Sequence, residues 1–136
     1  MSKISGPLLD RIDLHLEVPA LPSMQLIEQP PSENSKCIKE RTSKVREQQH
    51  KRFKNTPILA NAQMNHQQLK QYCALTDDCK DLLKTAIDEL GLSARAYDKV
   101  LKIARTIADL ADKEGILPEH IAEAIQYRSL DRGWWS

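Results

Sequence analysis

Apolar residues recur along most of this chain at helical spacing. The strongest case runs from Ala94 to about Ala111, where Tyr97, Val100, Leu101, Ala104, Ile107, Ala108 and Ala111 share one face. Ser93 is placed to cap this helix, and Leu92 to staple against Tyr97. Thr76 to Leu90 repeats the pattern with Cys79, Leu82, Leu83, Ala86, Ile87 and Leu90 inward, and Gly91 stops it. A shorter helix after Asn65 turns Leu69, Tyr72 and Cys73 inward. Gly115 closes the long segment, and Pro118 opens a last helix with Ile121, Ala122, Ile125 and Leu130 inward. An earlier helix, capped by Asn34 or Ser35 and running to about Lys54, carries only a narrow stripe of Ile38, Thr42, Val45, Gln49 and Phe53. Its other faces must be wet. Short loops join these helices, as in a small bundle.

The amino-terminal residues follow a different period. In "IDLHLEV", residues 12–18, Ile12, Leu14, Leu16 and Val18 alternate with polar neighbours, which predicts a strand. A strand needs partners for its backbone groups. Nothing later reads as another strand, so this one is expected to be a stray whose sheet lies elsewhere. Residues 19–35 carry Pro19, Pro22, Pro30 and Pro31 with few periodic apolar positions and read as a linker. The expected organisation is therefore an incomplete unit at 1–18, a proline-rich linker at 19–35 and a helical domain at 36–136. The fold class is all-α, a bundle of about five helices.

Composition narrows the picture further. At 136 residues with 40% hydrophobic content, the chain suffices for one modest core, and four glycines and 4% aromatics disfavour a sandwich or barrel. A net charge of +1 excludes a globally basic nucleic-acid binder, so any such role must be local. It is concentrated between Lys36 and Lys54, where eight Lys or Arg stand against two Glu, a local +6 that leaves −5 on the remainder. Lys39, Arg41, Lys44 and Arg46 are its candidate DNA contacts, with a solvated helix face as the bland alternative. Cys37, Cys73 and Cys79 are odd in number and lack CxxC spacing, which fits a reducing, cytoplasmic setting. The four histidines form no i, i+4 pair, so no metal site is expected. No apolar run approaches the ~20 residues of a membrane span.

Two arginines stand out against this background. With Ser93 as cap, Arg95 occupies the second helical position, where the helix dipole disfavours a cation by roughly 0.3–1 kcal/mol. A guanidinium beside exposed helix N–H groups makes a receptor for phosphate, although an ordinary surface arginine would read the same. Arg11 sits between Asp10 and Asp13 at the start of the expected strand. Taken alone, it reads as a surface ion pair worth ~1 kcal/mol or less.

"KISGPLLDRIDLHLEV" and "GLSARAYDKVLKIARTIADLADKEGILPEHIAEAIQYRSLDR" together resemble the carboxy-terminal part of the magnesium-chelatase-like AAA+ ATPases, above all their competence-type branch. The resemblance implies that the first stretch closes a nucleotide-binding core and that Arg11 matches its arginine finger, acting on a neighbouring subunit's ATP. Asp10 and Asp13 would orient it. The second stretch would be the helical lid, with Arg95 matching the sensor-2 arginine that meets the γ-phosphate. Implied partners are the missing core of the same protein, neighbouring subunits of a homo-oligomeric ring, taken as a hexamer, and DNA; no membrane is involved. ATP and Mg2+ would be used by the parent and held only weakly by this fragment. A parent needs a GxxxxGK[ST] loop and a strand-borne acidic pair. Neither is present, and Gly6, Gly91, Gly115 and Gly133 are too dispersed to cradle phosphate. The chain is thus expected to be a non-catalytic fragment of an ATPase that remodels DNA, in the manner of a branch-migration helicase. An autonomous DNA- or protein-binding module using helix 36–54 is the alternative. For Trp134 and Trp135 the sequence leaves two readings open, docking on a neighbouring subunit or the missing core, or a loose terminus.

Overall fold

A computed structural model describes residues 6–9, 11–20, 22, 23, 27 and 32–128. The described helices are α1 (Gly6–Leu9), α2 (Ser35–Arg52), α3 (His66–Tyr72), α4 (Asp77–Leu90), α5 (Ala94–Leu110) and α6 (Pro118–Gln126), with a 3-10 turn at Asn61–Gln63. Each longer helix begins where a short polar side chain can take up an otherwise unpaired amide. Asn34 accepts from the Cys37 N–H at 2.9 Å, Thr76 from Cys79 at 3.4 Å and Ser93 from Ala96 at 3.1 Å. At α3 the exchange is reciprocal: the Gln68 amide donates to the Asn65 side chain, and the Gln68 side chain accepts from the Asn65 amide. The sixth helix is capped by His120, whose Nδ1 accepts from the Leu117 amide at 3.0 Å. That bond uses a histidine with no role in the sequence reading.

Helix α5 is the hub, touching α2, α3, α6 and the 3-10 turn, while α4 packs on α6. It can be central because its buried face alternates small and larger residues: Ala96, Ala104 and Ala108 let neighbours approach, and Val100 and Leu101 fill between them. Phe53, Met64, Leu69, Cys73, Cys79, Leu83, Ile116, Ile121 and Ala124 complete the core. Phe53 meets Tyr72 edge-on at 5.3 Å between ring centroids, joining the end of α2 to α3.

The all-α bundle agrees with the periodicity, and four expectations change in detail. Residues 12–18 form no strand ladder, because no partner strand exists among the described residues. Their backbone is satisfied by the end of α6: the His15 N–H donates to the Tyr127 carbonyl at 2.8 Å, and the Arg128 guanidinium donates to the Ile12 carbonyl. Leu16 and Val18 remain 67% and 88% exposed, so the alternation buries no common face. The α2 stripe is buried only from Val45 onward, with Ile38 and Thr42 in solvent. Ala111 and Ala122 are exposed, and Ala124 takes the inward place on α6. Helix α5 is terminated by Asp112 in the left-handed region at φ 56°, ahead of Gly115. Leu130, Trp134, Trp135 and Asp10 lie outside the described residues.

Candidate functional site

The two singled-out arginines meet. Arg11 follows the turn of α1, its amide donating to the Leu8 carbonyl at 3.0 Å, and Arg95 lies in the first turn of α5. Both are exposed, and both line an open cleft of about 410 Å³ together with Asp13, Asp98, Lys99 and Lys102. Four cations therefore surround two carboxylates.

Those carboxylates are already engaged. Lys99 Nζ stands 2.8 Å from Asp13 Oδ1, and His66 Nδ1 is 3.6 Å from Asp98 Oδ1. The Lys102 ammonium donates to the Ala62 carbonyl at 3.1 Å. Asp13 thus ties the amino-terminal segment to α5 through Lys99 instead of orienting Arg11, as the sequence had led us to expect. Among the described residues neither Arg11 nor Arg95 has an ion-pair partner. The Ser93 cap engages the Ala96 amide, and the first helical amides, Ala94 and Arg95, have no intrahelical acceptor. Two guanidinium groups without an ion-pair partner among the described residues, beside a positive helix end, are what a phosphate group binds well. No group of three potential metal ligands occurs among the described residues.

The candidate DNA contacts divide into two pairs. Arg41 is held bidentately by Glu33 at 2.8 and 3.1 Å, and Lys44 reaches Asp112 at 2.9 Å. Lys39 and Arg46 are exposed, with no carboxylate partner among the described residues. The expected common patch is therefore half neutralised.

Sequence reading missed a highly connected buried polar group. The Asp109 carboxylate, with 1% side-chain exposure, receives both terminal nitrogens of Arg52 at 2.7 and 2.5 Å, the Asn61 amide at 2.8 Å and the Arg105 Nε at 3.2 Å. Arg105 also holds the loop that follows α5 by donating to the Glu114 and Lys113 carbonyls, each at 2.7 Å. Burial pushes the Asp109 carboxyl up, but hydrogen bonds from Arg52 and Asn61, with the charges of Arg52 and Arg105, outweigh it and hold it below the usual carboxylate range. The available signal was Arg105 and Asp109 spaced i, i+4 on the most strongly amphipathic of the described helices. The network locks α2 to α5 and thereby fixes the frame on which Arg95 stands.

The described residues form an all-α helical domain with a cationic cleft at the start of its central helix. The family described as magnesium chelatase, subunit ChlI C-terminal, matches residues 32–128, and the chain belongs to it. Competence protein ComM of Haemophilus influenzae is 41% identical over 133 residues, covering 97% of this chain and 25% of that protein. The protein YifB is 39% identical in Salmonella typhimurium and 38% in Escherichia coli, each over 134 residues. The chain spans about a quarter of the length of these relatives.

Proposed function

We propose that this domain is the lid of a ring-forming AAA+ ATPase whose nucleotide-binding core lies outside the chain. The observation that carries the reading is the shared cleft: Arg11 and Arg95 line one cavity and have no carboxylate partner among the described residues. Arg95 acts as sensor 2, and Arg11 as the arginine finger. In this reading Arg95 meets the terminal phosphate of its own protomer's nucleotide and Arg11 acts on that of a neighbouring subunit, and the cleft they share brings the two sites close together.

The residues present suit the terminal phosphate alone. A nucleotide and its Mg2+ require a phosphate-binding loop and acidic ligands from the core; once bound there, they supply the phosphoryl group and its charge-neutralising metal. The domain's own contribution is electrostatic. Guanidinium groups fixed near the transferring group stabilise charge that grows in the transition state. Lys99, through Asp13, and Arg128, through the Ile12 carbonyl, hold the Arg11 segment against α5 and α6. Closure of the domain would thus move both arginines as one unit, coupling turnover to motion of the bundle. The downstream task is remodelling of DNA in the cytoplasm, in keeping with the name competence protein carried by one relative.

The test is ATP turnover by the full-length protein. Arg11→Ala is expected to lower kcat by about 10³-fold or more, and Arg95→Ala by on the order of 10²-fold, with the oligomer intact. Unchanged turnover in Arg95→Ala sinks the reading.

A further inference from the structure

Half of α2 leaves the bundle. From Ser35 to Lys44 every residue is exposed, and burial begins only at Val45. This gives a rod of roughly 15 Å standing in solvent. A free helix of that length is marginal by itself, and here it is continuous with a segment anchored by Val45, Gln49 and the Arg52–Asp109 pair.

The charges on this rod are sorted by face. Residues advance about 100° each along a helix, so Lys39, Ser43, Arg46 and His50 form one stripe, and Lys36 extends it by a turn. On the opposite flank, Arg41 is held by Glu33, while Lys44 and Gln48 hold Asp112. The acids Glu40 and Glu47 lie to the side of the stripe; Lys36 alone approaches one, at 4.0 Å from Glu40. A face serving only solubility mixes its signs. This one keeps Lys39 and Arg46 without a carboxylate partner among the described residues, on an edge containing no acid.

We infer that the stripe of Lys36, Lys39, Ser43, Arg46 and His50 is a docking edge for the phosphodiester backbone of nucleic acid, with Lys39 and Arg46 as its principal contacts. Seven residues of helix separate those two by about 10.5 Å, a length over which one strand of a duplex advances by roughly three nucleotides at 3.4 Å of helix axis each. An ammonium and a bidentate guanidinium at that interval match a linear array of like anions. The contact inferred is to the backbone, which carries no sequence information. This deepens the DNA-directed half of the proposed function and does not depend on Arg95.

The experiment is fluorescence anisotropy of a short labelled duplex with the 136-residue chain across a salt series. Lys39→Gln/Arg46→Gln is expected to weaken binding and to reduce the slope of log affinity against log salt by about 1.8, two phosphate contacts at ~0.9 each. Arg41→Gln/Lys44→Gln removes the same formal charge and should leave the slope close to that of the parent chain. All four positions are exposed, so matching circular dichroism melts establish that each variant is folded. Equal slope losses in the two double variants would overturn the assignment, as would polyglutamate at equal charge concentration binding as tightly as the duplex. Retention of duplex binding by Arg95→Ala separates this edge from the phosphate cleft.

Discussion

Asp109 joins α2, α5 and the 3-10 turn through one carboxylate, bonded to Arg52, Arg105 and Asn61. Its carboxylate is buried between Arg52 and Arg105, so removing it leaves two guanidinium groups facing a low-dielectric interior. Breaking a buried pair in this way costs about 3–5 kcal/mol. Asp109→Asn keeps the shape and one acceptor, and should fall toward the lower end of that range in urea unfolding at neutral pH. The acid limb makes the assignment specific. The folded carboxyl is held below its ordinary value while the unfolded one is not. Its stabilisation is therefore fully present above the unfolded value, near 3.9, and is lost as pH falls through the depressed folded value. Asp109→Asn should start less stable and show a shallower decline below about pH 4. If the two profiles run parallel through the acid range, the carboxylate is not the titrating partner of Arg52.

At the scale of elements, two glycines near helix ends give opposite expectations. Gly91 ends α4 in the left-handed region at φ 61°, its amide donating to the Ile87 carbonyl at 2.9 Å, and an added Cβ would meet no atom. The cost of Gly91→Ala is then backbone strain alone, about 1–2 kcal/mol, and Gly91→Asn should recover part of it. Gly115 also has open space but lacks a left-handed φ. Gly115→Ala should be neutral or stabilising by up to about 1 kcal/mol, through a stiffer unfolded chain. Thermal melts of the three variants check both signs. Gly91 was legible as a stop because a helical apolar run ended directly before it. Gly115 was misread because Asp112 performs the termination instead, and its side chain is drawn there by Lys44 and Gln48, some 68 and 64 residues earlier. The helices themselves were readable because periodicity and caps are local. The Arg52–Asp109 pair was not, since its partners stand 57 residues apart.

Across the whole molecule, the amino-terminal segment and the end of α6 act as one assembly, and this could not be read from the alternation of "IDLHLEV". Period two signals an extended chain; what it pairs with depends on the neighbouring elements, and here a helix end occupies the place of a second strand. Arg128 is the link. It is buried to 1% exposure, and its guanidinium donates to the Ile12 carbonyl while the adjacent Tyr127 carbonyl accepts from His15. On the other side, Leu14 and Leu16 line a groove of about 440 Å³ with Ile103, Ile107 and Leu110 of α5. A few polar bonds and a partly open apolar groove hold the segment more weakly than the core holds its helices, so it should detach as a unit before the bundle unfolds. Arg128→Ala removes the bond to Ile12 and leaves that carbonyl to water. Trypsin should then cut after Arg11 several-fold faster than in the parent chain, while cleavage at Arg105 inside α5 keeps its rate. Equal acceleration at both bonds would mean that Arg128 supports the bundle as a whole and not the placement of Arg11 beside Arg95.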